Sequence, residues 1–449
     1  MDGRRRPSDG QSLWVDNVKQ DHPVNHWPIF SRDGAHTAYA ADSGGATARQ
    51  RFVVLDGVPG QRYEAPLMSM QYSRRDSDFV GQPVFGGPDG KRLAYRATRG
   101  KLAFVVADGQ EGKEYEQIGG IAFSPDGQRL VYVAVRDKQW VMIGSGAPEG
   151  KEAQYEALGS PAFGANGRLG FQAKREGKQF IVVDGVEGTK YGWASAPRFS
   201  PDGKHVAYFA SHGGVAVTQR GARFGGSQIP YYLTCGDKCV AVIDGIEQVL
   251  PGPPGAFLSV NNDGVVAYSY GKNLTVAKNG RPVLDKQTTW VAVVGGKEIA
   301  QTQSKNFYDP IGPIIFSPDG KRHAFRLTRS PDEKSFMVVD GSEQKGYADV
   351  SDPVFSPDGR HLAYFAKDMK RSALVVDGTE LFAEESDLQL FGPSAEMSEA
   401  GLWPGGPLLW RRSSPVRFVD SSTMQSFAIR GRDIARLTMN IVEAGAGDH

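Results

Sequence analysis

Basic side chains recur at a fixed spacing in this chain, and they are its most regular source of possible chemistry. Each follows the glycine of a recurring turn by eight or nine residues: Arg99, Arg136, Arg175, His212, Arg329 and Lys367. Further lysines follow two or three residues later, at Lys101, Lys138, Lys178 and Lys370. Cations gathered on one surface attract an anionic ligand. They also suit solubilising corners, because acids stand beside them, and the sequence leaves both interpretations open.

The two cysteines form the segment Cys235-Gly-Asp-Lys-Cys239. The three residues between them suit the turn of a hairpin, and facing residues of antiparallel strands come within disulfide range. We therefore predict a disulfide between Cys235 and Cys239 that pins one hairpin, with free thiols as the alternative. A metal site is not predicted, because no further Cys or His pair lies nearby in the sequence.

Histidines and turn aspartates offer little further chemistry. His205 and His361 occupy a repeat position that holds Arg92, Arg129 and Arg322 in other copies, so we predict a solvent-facing strand position. The recurring turns carry one aspartate each, whereas a calcium loop needs several oxygen ligands. These aspartates are therefore predicted to shape the turns. No metal and no cofactor is predicted.

Local catalytic motifs are missing from the sequence. It contains no Gly-x-Ser-x-Gly elbow, no glycine-rich phosphate loop and no His-Glu-x-x-His. A site assembled from distant residues stays open, and so does the question of enzymatic activity. Trp403 and Trp410 lie in an aromatic and basic segment that breaks the repeat. The candidate ligand-binding residues are therefore Arg99, Arg136, Arg175, Arg329, Lys367, Trp403 and Trp410.

An internal repeat supplies the elements that would position these residues. Ser-Pro-Asp-Gly occurs at 124–127, 200–203, 317–320 and 356–359, with degenerate copies at 31–34, 88–90, 164–167 and 261–264. In most copies an apolar run ending in Asp-Gly follows, as at 181–185. Pro, Asp and Gly suit the corners of a tight turn, and Asp-Gly favours a two-residue hairpin. Each unit of roughly 40 residues thus predicts four short antiparallel strands.

This period predicts an all-β fold, a single closed β-propeller of four-stranded antiparallel blades. The count favours eight blades, with nine and seven open, because the corner near Ser421 is degenerate. The run at 13–18 has the pattern of a third strand, and 416–429 that of a first and a second. We therefore expect the N- and C-terminal strands to share one blade and close the ring. The run at 434–442 also resembles a third strand and would compete for that place.

The segment Phe-Ser-Pro-Asp-Gly-Lys-His-Val-Ala-Tyr at 199–208, with its copy at 355–364, resembles the TolB-like, WD-like β-propeller repeat family. The resemblance covers most of the chain. It implies a bacterial protein and favours a periplasmic or secreted location, although the polar, basic N-terminus shows no apolar signal region. It implies no particular ligand, because such repeats serve many functions.

Length and charge set the remaining bounds. The 449 residues are predicted to form one propeller domain over 11–442, with flexible tails at 1–10 and 443–449. A formal net charge of +1 gives no global reason to expect nucleic acid. No apolar run is long enough for a membrane span. We expect a monomer that binds a protein or a glycan partner.

Two functions fit these observations. The first is a non-catalytic binding or scaffold protein that recognises a protein or glycan on one face, where the cation-bearing corners and the inserts meet. The alternative is a propeller-fold lyase or hydrolase that acts on an anionic polymer over the central channel. Carboxylates with shifted pKa values above the channel would favour the enzyme. A surface with aromatic anchors would favour the binding protein.

Overall fold

The computed structural model of the chain is a β-propeller, and the residues that it describes contain no helix. Those residues are 12–15, 18–19, 28–43, 50–64, 83–144, 146, 150, 152–213, 215–217, 233–235, 238–272, 275–276, 282–283, 288–304, 310–329, 334–368, 371–385, 388–391, 416–430 and 433–441. Both predicted tails lie outside them. Over this part of the chain, no helix offers the length and apolar character for crossing a membrane.

An N-terminal hairpin precedes the first three blades. It consists of β1 (Ser12–Val15) and β2 (Val18–Lys19). Blade 1 contains β3 (Ile29–Phe30), β4 (Thr37–Ser43), β5 (Gln50–Leu55), β6 (Val58–Pro59) and β7 (Tyr63–Glu64). Blade 2 contains β8 (Val84–Gly86), β9 (Arg92–Arg99), β10 (Leu102–Ala107) and β11 (Gln110–Glu111). Blade 3 contains β12 (Gln117–Phe123), β13 (Leu130–Arg136), β14 (Gln139–Ile143) and β15 (Gln154–Tyr155).

The middle blades include two that carry an additional hairpin. Blade 4 contains β16 (Ala157–Leu158), β17 (Ala162–Phe163), β18 (Leu169–Arg175), β19 (Lys178–Val183) and β20 (Val186–Glu187). Blade 5 contains β21 (Trp193–Ala194), β22 (Arg198–Phe199), β23 (Val206–Ser211), the hairpin β24 (Val215–Val217) and β25 (Leu233–Cys235), then β26 (Cys239–Ile243) and β27 (Ile246–Val249). Blade 6 contains β28 (Pro254–Val260), β29 (Val266–Lys272), the hairpin β30 (Thr275–Val276) and β31 (Pro282–Val283), then β32 (Thr288–Val294) and β33 (Lys297–Ser304).

The last three blades complete the ring. Blade 7 contains β34 (Ile315–Phe316), β35 (His323–Arg329), β36 (Lys334–Val339) and β37 (Ser342–Tyr347). Blade 8 contains β38 (Asp349–Val350), β39 (Val354–Phe355), β40 (Leu362–Lys367), β41 (Arg371–Val376) and β42 (Thr379–Glu385). Blade 9 contains β43 (Leu388–Phe391), β44 (Val416–Phe418), β45 (Thr423–Arg430) and β46 (Asp433–Asn440).

In blades 1 to 8 the strands alternate in direction, which gives the propeller two distinct faces. The corners between first and second and between third and fourth strands, such as 124–129 and 108–109, form what we call the turn face. The corners between second and third strands, such as 99–102, and the links between blades, such as 112–117, form what we call the hairpin face. Corners of the turn face therefore never meet the links.

Six of the third corners are the predicted Asp-Gly pairs. Their aspartates adopt φ values from 48° to 51° and their glycines from 79° to 86°, as the two-residue hairpin turn requires. The same aspartates also cap the second strand: Asp108 Oδ1 accepts a hydrogen bond from the Leu93 amide at 2.8 Å. One side chain thus fixes both a turn and the strand beside it.

The core lies between neighbouring blades. Ala324 and Met337 of blade 7 pack with Tyr364 and Val375 of blade 8 in one buried cluster. Similar clusters join the other neighbouring pairs from blade 1 to blade 9, for example blade 1 with blade 2 and blade 8 with blade 9. Stability therefore comes from blade-to-blade contacts, as expected for a stacked repeat.

The last blade combines both ends of the chain. β1 lies parallel to β46, with Leu13 opposite Ile434, and β46 is antiparallel to β45. The shared blade was predicted, but β1 is the fourth strand there and not the third. The third place belongs to β46, the competing run recognised in the sequence. Contacts with blade 1 close the ring, including a 3.3 Å hydrogen bond from Gln425 Nε2 to the Gly34 carbonyl.

The structure has nine blades, one more than the favoured count and within the range that the sequence left open. Blade 9 is the degenerate copy. Its first strand is divided between β43 and β44, which pair with opposite halves of β45. Because its first corner has Asp420 but lacks the proline and glycine of the other copies, the sequence pattern gave it little weight.

Candidate functional site

The first corners of the turn face are held together by their own side chains. The Ser200 hydroxyl donates to Asp202 Oδ1 at 2.6 Å, and this bond lowers the pKa of Asp202 to about 2. The same carboxylate accepts the Lys204 amide at 3.1 Å. Equivalent Ser–Asp bonds occur at Ser31, Ser124, Ser317 and Ser356. These carboxylates shape the turns, as the sequence suggested.

A repeat position that we expected to face solvent instead joins neighbouring blades. Arg92 Nε donates to Asp108 of its own blade at 3.0 Å, and its Nη1 donates to the Gly127 carbonyl of the next blade at 2.5 Å. The guanidinium carbon also lies 4.9 Å from the ring centroid of Phe123. Where a histidine takes this position, as at His205, it bonds only the aspartate of its own blade, at 2.6 Å. At this repeat position of the turn face, the arginine side chains therefore connect neighbouring blades.

The predicted arginines of the hairpin face are each paired with a glutamate of their own blade. Arg136 bonds Glu152 at 2.8 Å, and Arg175 bonds Glu187 at 2.8 Å. The remaining arginine pairs are Arg99 with Glu111 and Glu114, and Arg329 with Glu343. Their positive charge is therefore largely neutralised on this face. His212 and Lys272 continue the series with Glu247 and Glu298.

Sequence reasoning missed these glutamates, although a signal for them exists. In most copies the glutamate stands two residues after the glycine of the third corner, in the pattern Asp-Gly-x-Glu: Glu111, Glu187, Glu247, Glu343 and Glu380. The cation and the glutamate are separated by 12 or 14 residues in blades 2, 4 and 7, so neither is obvious from the other. Only the hairpin geometry brings them together.

Tyrosines from the preceding blade complete several of these pairs. The Tyr191 hydroxyl of the link after blade 4 donates to Glu247 of blade 5 at 2.8 Å. The Tyr347 hydroxyl of blade 7 donates to Glu380 of blade 8 at 2.9 Å. Burial and the glutamate raise the pKa of each tyrosine, while the Tyr191 hydroxyl helps to lower the pKa of Glu247. We call each pair of cation and glutamate, together with its tyrosine where one is present, a clasp.

Blade 8 is the exception among the predicted cation positions. Lys367 is exposed there, and the position equivalent to Arg99 holds Asp368. Arg99 and Asp368 each follow the glycine of their first corner by nine residues, whereas Lys367 follows it by eight. Glu380 is held instead by Lys345 of blade 7 at 2.6 Å and by Arg371 at 3.5 Å.

Unpaired positive charge on the hairpin face comes from lysines. Lys101, Lys138 and Lys178 are exposed at the second corners of blades 2, 3 and 4. Within the part of the chain that the structure describes, their ammonium groups form no ion pair. Lys370 lies outside that part, as do Trp403 and Trp410. These lysines are available to a ligand in a way that the paired arginines are not.

Two second corners of the hairpin face are extended into additional hairpins. In blade 5 the extension is β24–β25, and Cys235 at its end forms a disulfide with Cys239, with their Cα atoms 5.5 Å apart. Cys235 packs against the core cluster shared by blades 5 and 6, so this end of the hairpin lies close to blade 6. In blade 6 the extension is β30–β31. Both additions lie side by side on one face of the ring.

The described residues contain no group of three or more His, Cys, Asp or Glu side chains that could hold a metal ion. Burial and the neighbouring glutamate raise the pKa values of the clasp tyrosines Tyr191 and Tyr347. These tyrosines lie between blades, where their hydroxyl groups donate to Glu247 and Glu380.

Comparisons with solved structures give matches of low sequence identity. The structure is similar to that of a eukaryotic initiation factor, with 12% identity, 84% of this chain and 96% of that chain covered, and a TM-score of 0.45. It is also similar to the β-propeller domain of the Trilobed protease from Pyrococcus furiosus, with 12% identity, coverage of 73% and 96%, and a TM-score of 0.34. The Dos1 propeller gives 10% identity, coverage of 80% and 94%, and a TM-score of 0.36.

No protein-family model matches the chain, and no curated protein matches it either. The TolB-like, WD-like resemblance therefore stays a prediction from the repeat motif. The β-propeller architecture itself serves many functions.

Proposed function

We propose that the protein is a non-catalytic β-propeller that binds a protein or glycan partner through its hairpin face. The observation that carries the proposal is the difference between the two faces. First corners of the turn face are short, and in five blades a Ser–Asp bond closes the turn. The additional hairpins and the long links are on the hairpin face, and insertions in repeat proteins collect where partners bind.

The residues of the hairpin face would take different roles in this interaction. The exposed lysines of blades 2 to 4 would contact anionic groups of the partner. Arg99, Arg136, Arg175 and Arg329 would keep their glutamates and shape the surface. Lys367, with Trp403 and Trp410 of the segment between β43 and β44, remains part of the proposed contact region, since aromatic and basic residues are frequent at the centres of interfaces.

We also propose a periplasmic or secreted location for a bacterial protein of the TolB-like kind. The Cys235–Cys239 disulfide supports this, because disulfides persist mainly in oxidising environments. The repeat motif supports it through the resemblance to that family.

The proposal is tested with a partner identified by cross-linking in the native host and then purified. Two matched triple variants separate the faces. Lys101, Lys138 and Lys178 are changed to Glu on the hairpin face, and Lys91, Lys204 and Lys321 are changed to Glu on the turn face. All six lysines are exposed, so neither triple should greatly affect folding.

We expect the hairpin-face triple to weaken partner binding and the turn-face triple to leave it unchanged. Binding to the unaltered protein should also fall as salt rises, because exposed charges are screened. The opposite pattern, with binding lost only in the turn-face triple, would place the interaction on the wrong face and refute the proposal.

A further inference from the structure

One boundary between blades departs from the clasp pattern in an informative way. In blades 2, 4 and 7 the clasp arginine lies over an aromatic ring of the third strand. The guanidinium carbon is 4.9 Å from the Phe104 centroid for Arg99, 5.8 Å from Phe180 for Arg175, and 5.9 Å from Phe336 for Arg329. Ring and glutamate together form a slot that a guanidinium fills.

In blade 8 the equivalent positions hold neither the arginine nor the aromatic ring. Ala366 faces Ala373 in the register in which Ala97 faces Phe104, so Ala373 takes the place of the aromatic ring. Asp368 takes the place of the arginine. Glu380 stays in register, opposite Val375. These two differences remove the arginine and the ring that it covers, and Lys345 of blade 7 pairs with Glu380 instead.

An open cleft remains between blades 7 and 8. It is shallow and open to solvent, and it is lined by Lys345, Tyr347, Ala366, Asp368, Arg371, Ala373 and Glu380. Asp368 belongs to a second corner, and Tyr347 ends the fourth strand just before the link to blade 8. The cleft therefore opens on the hairpin face.

The side chains that line the cleft favour a cation at its centre. Lys345 Nζ already lies 5.1 Å from the centroid of the Tyr347 ring and 2.6 Å from Glu380 Oε1. Hydrogen bonds from Lys345 and Tyr347 lower the pKa of Glu380, so this carboxylate is ionised at neutral pH. The Lys345 and Arg371 side chains are 64% and 59% exposed, so both can swing into solvent when a ligand enters.

We propose that this cleft binds the guanidinium group of an arginine side chain presented by a polypeptide partner. The guanidinium would lie over Tyr347 and donate two hydrogen bonds to Glu380, the geometry that suits an arginine–carboxylate pair. Asp368 would take a further N–H, and Lys345 would move outward. The other blades show that a guanidinium fits this register. The inference rests on the proposed function, because it names one contact within the same face.

The inference is tested by titrating the full-length protein with blocked tripeptides in a calorimeter. The arginine peptide acetyl-Gly-Arg-Gly-amide is compared with its citrulline counterpart, which has nearly the same shape and no charge, and with free arginine. We expect saturable binding of the arginine peptide, and binding of the citrulline peptide at least about tenfold weaker, since the charge-assisted bonds are lost.

Two protein variants assign the binding to the cleft. The double variant Asp368→Arg with Ala373→Phe rebuilds the clasp of blade 2, so it should keep its melting temperature and lose peptide binding. Glu380→Gln keeps the volume of the cleft and removes its charge, so it should bind the arginine peptide at least about tenfold more weakly. Unchanged affinity in either folded variant overturns the inference. Equal binding of the citrulline peptide does so too.

Free arginine that binds as tightly as the peptide would overturn the assignment to a polypeptide. These outcomes are separate from the test of the proposed function. A protein that captures its partner through the hairpin-face lysines, yet ignores the arginine peptide, loses this inference alone.

Discussion

Glu152 offers the sharpest test of the clasps, because it is the most buried of their glutamates. Its side chain is 4% exposed and that of Arg136 is 21% exposed. Burial raises the pKa of Glu152, but the hydrogen bond and charge of Arg136 and the backbone hydrogen bonds together outweigh it, so the pKa is lowered. Glu152→Gln keeps the shape and removes the charge, which leaves Arg136 without its counter-ion. Breaking a buried pair costs about 3–5 kcal/mol and an exposed one about 0–1, so we expect about 2–3 kcal/mol here.

The matched control is Glu187→Gln in the next blade, whose pair with Arg175 is 33% exposed on both sides and should contribute about 0–1 kcal/mol. An unfolding entropy of about 2.1 cal/mol/K per residue, applied to 449 residues, makes 1 kcal/mol equivalent to about 1 °C. Scanning calorimetry should therefore show a melting temperature lower by about 2–3 °C for Glu152→Gln and by less than about 1 °C for Glu187→Gln. Equal shifts for the two variants would refute the argument from burial.

Three further outcomes are expected. Stability should be greatest at intermediate pH. The lowered pKa of Glu247 stabilises the folded state above the unfolded value of about 4.3, and this stability is lost on acidification. Burial raises the pKa of Tyr270 to about 12, so the stability that it contributes is lost as pH rises from 10 to 12, and a denaturant midpoint that stays level across both pH ranges would contradict this. Deleting residues 1–20 should lower the melting temperature by about 2–4 °C, because it removes β1 and exposes the edge of β46, whereas deleting only 1–11 should have no effect. Replacing Cys235 and Cys239 by serine should shift the global melting temperature by at most about 2 °C, since a loop this short restrains little entropy, while proteolysis of the blade 5 hairpin should become faster.

The sequence was sufficient to predict the propeller architecture, because each turn is specified by its own local residues. Ser200, Pro201, Asp202 and Gly203 form a complete local unit, and its repetition defined the blades before any tertiary contact was considered. The ninth blade was harder to predict, since its first strand is divided and its corner has neither proline nor glycine. The place of β1 could not be predicted either, because two runs with the pattern of a third strand competed, and only their packing decides between them.

The candidate site was less predictable, because whether a charged side chain on a strand is free or paired depends on the residues of the neighbouring strands. Arg99 looked like a free cation in the sequence, and Glu111 on the other side of a hairpin neutralises it. Lys367 looked like a member of the same series, yet strand register gives the equivalent place to Asp368. The cleft beside Asp368 was not visible at all, since it depends on Ala373 being small where other blades have an aromatic ring.

The parallel pairing of β1 with β46 has a mechanical consequence. The chain enters β1 at Ser12, beside Asp433, and leaves β46 at the opposite end of the sheet. A force that pulls the two ends of the protein apart therefore acts along the strands and loads the pairs at Ser12, Leu13 and Trp14 together. An antiparallel closing strand would have placed both ends at the same edge, where pairs open one after another. The strand pairing that closes the ring is thus loaded in shear, and it should withstand a larger force applied through the termini than a force that separates the same strands pair by pair.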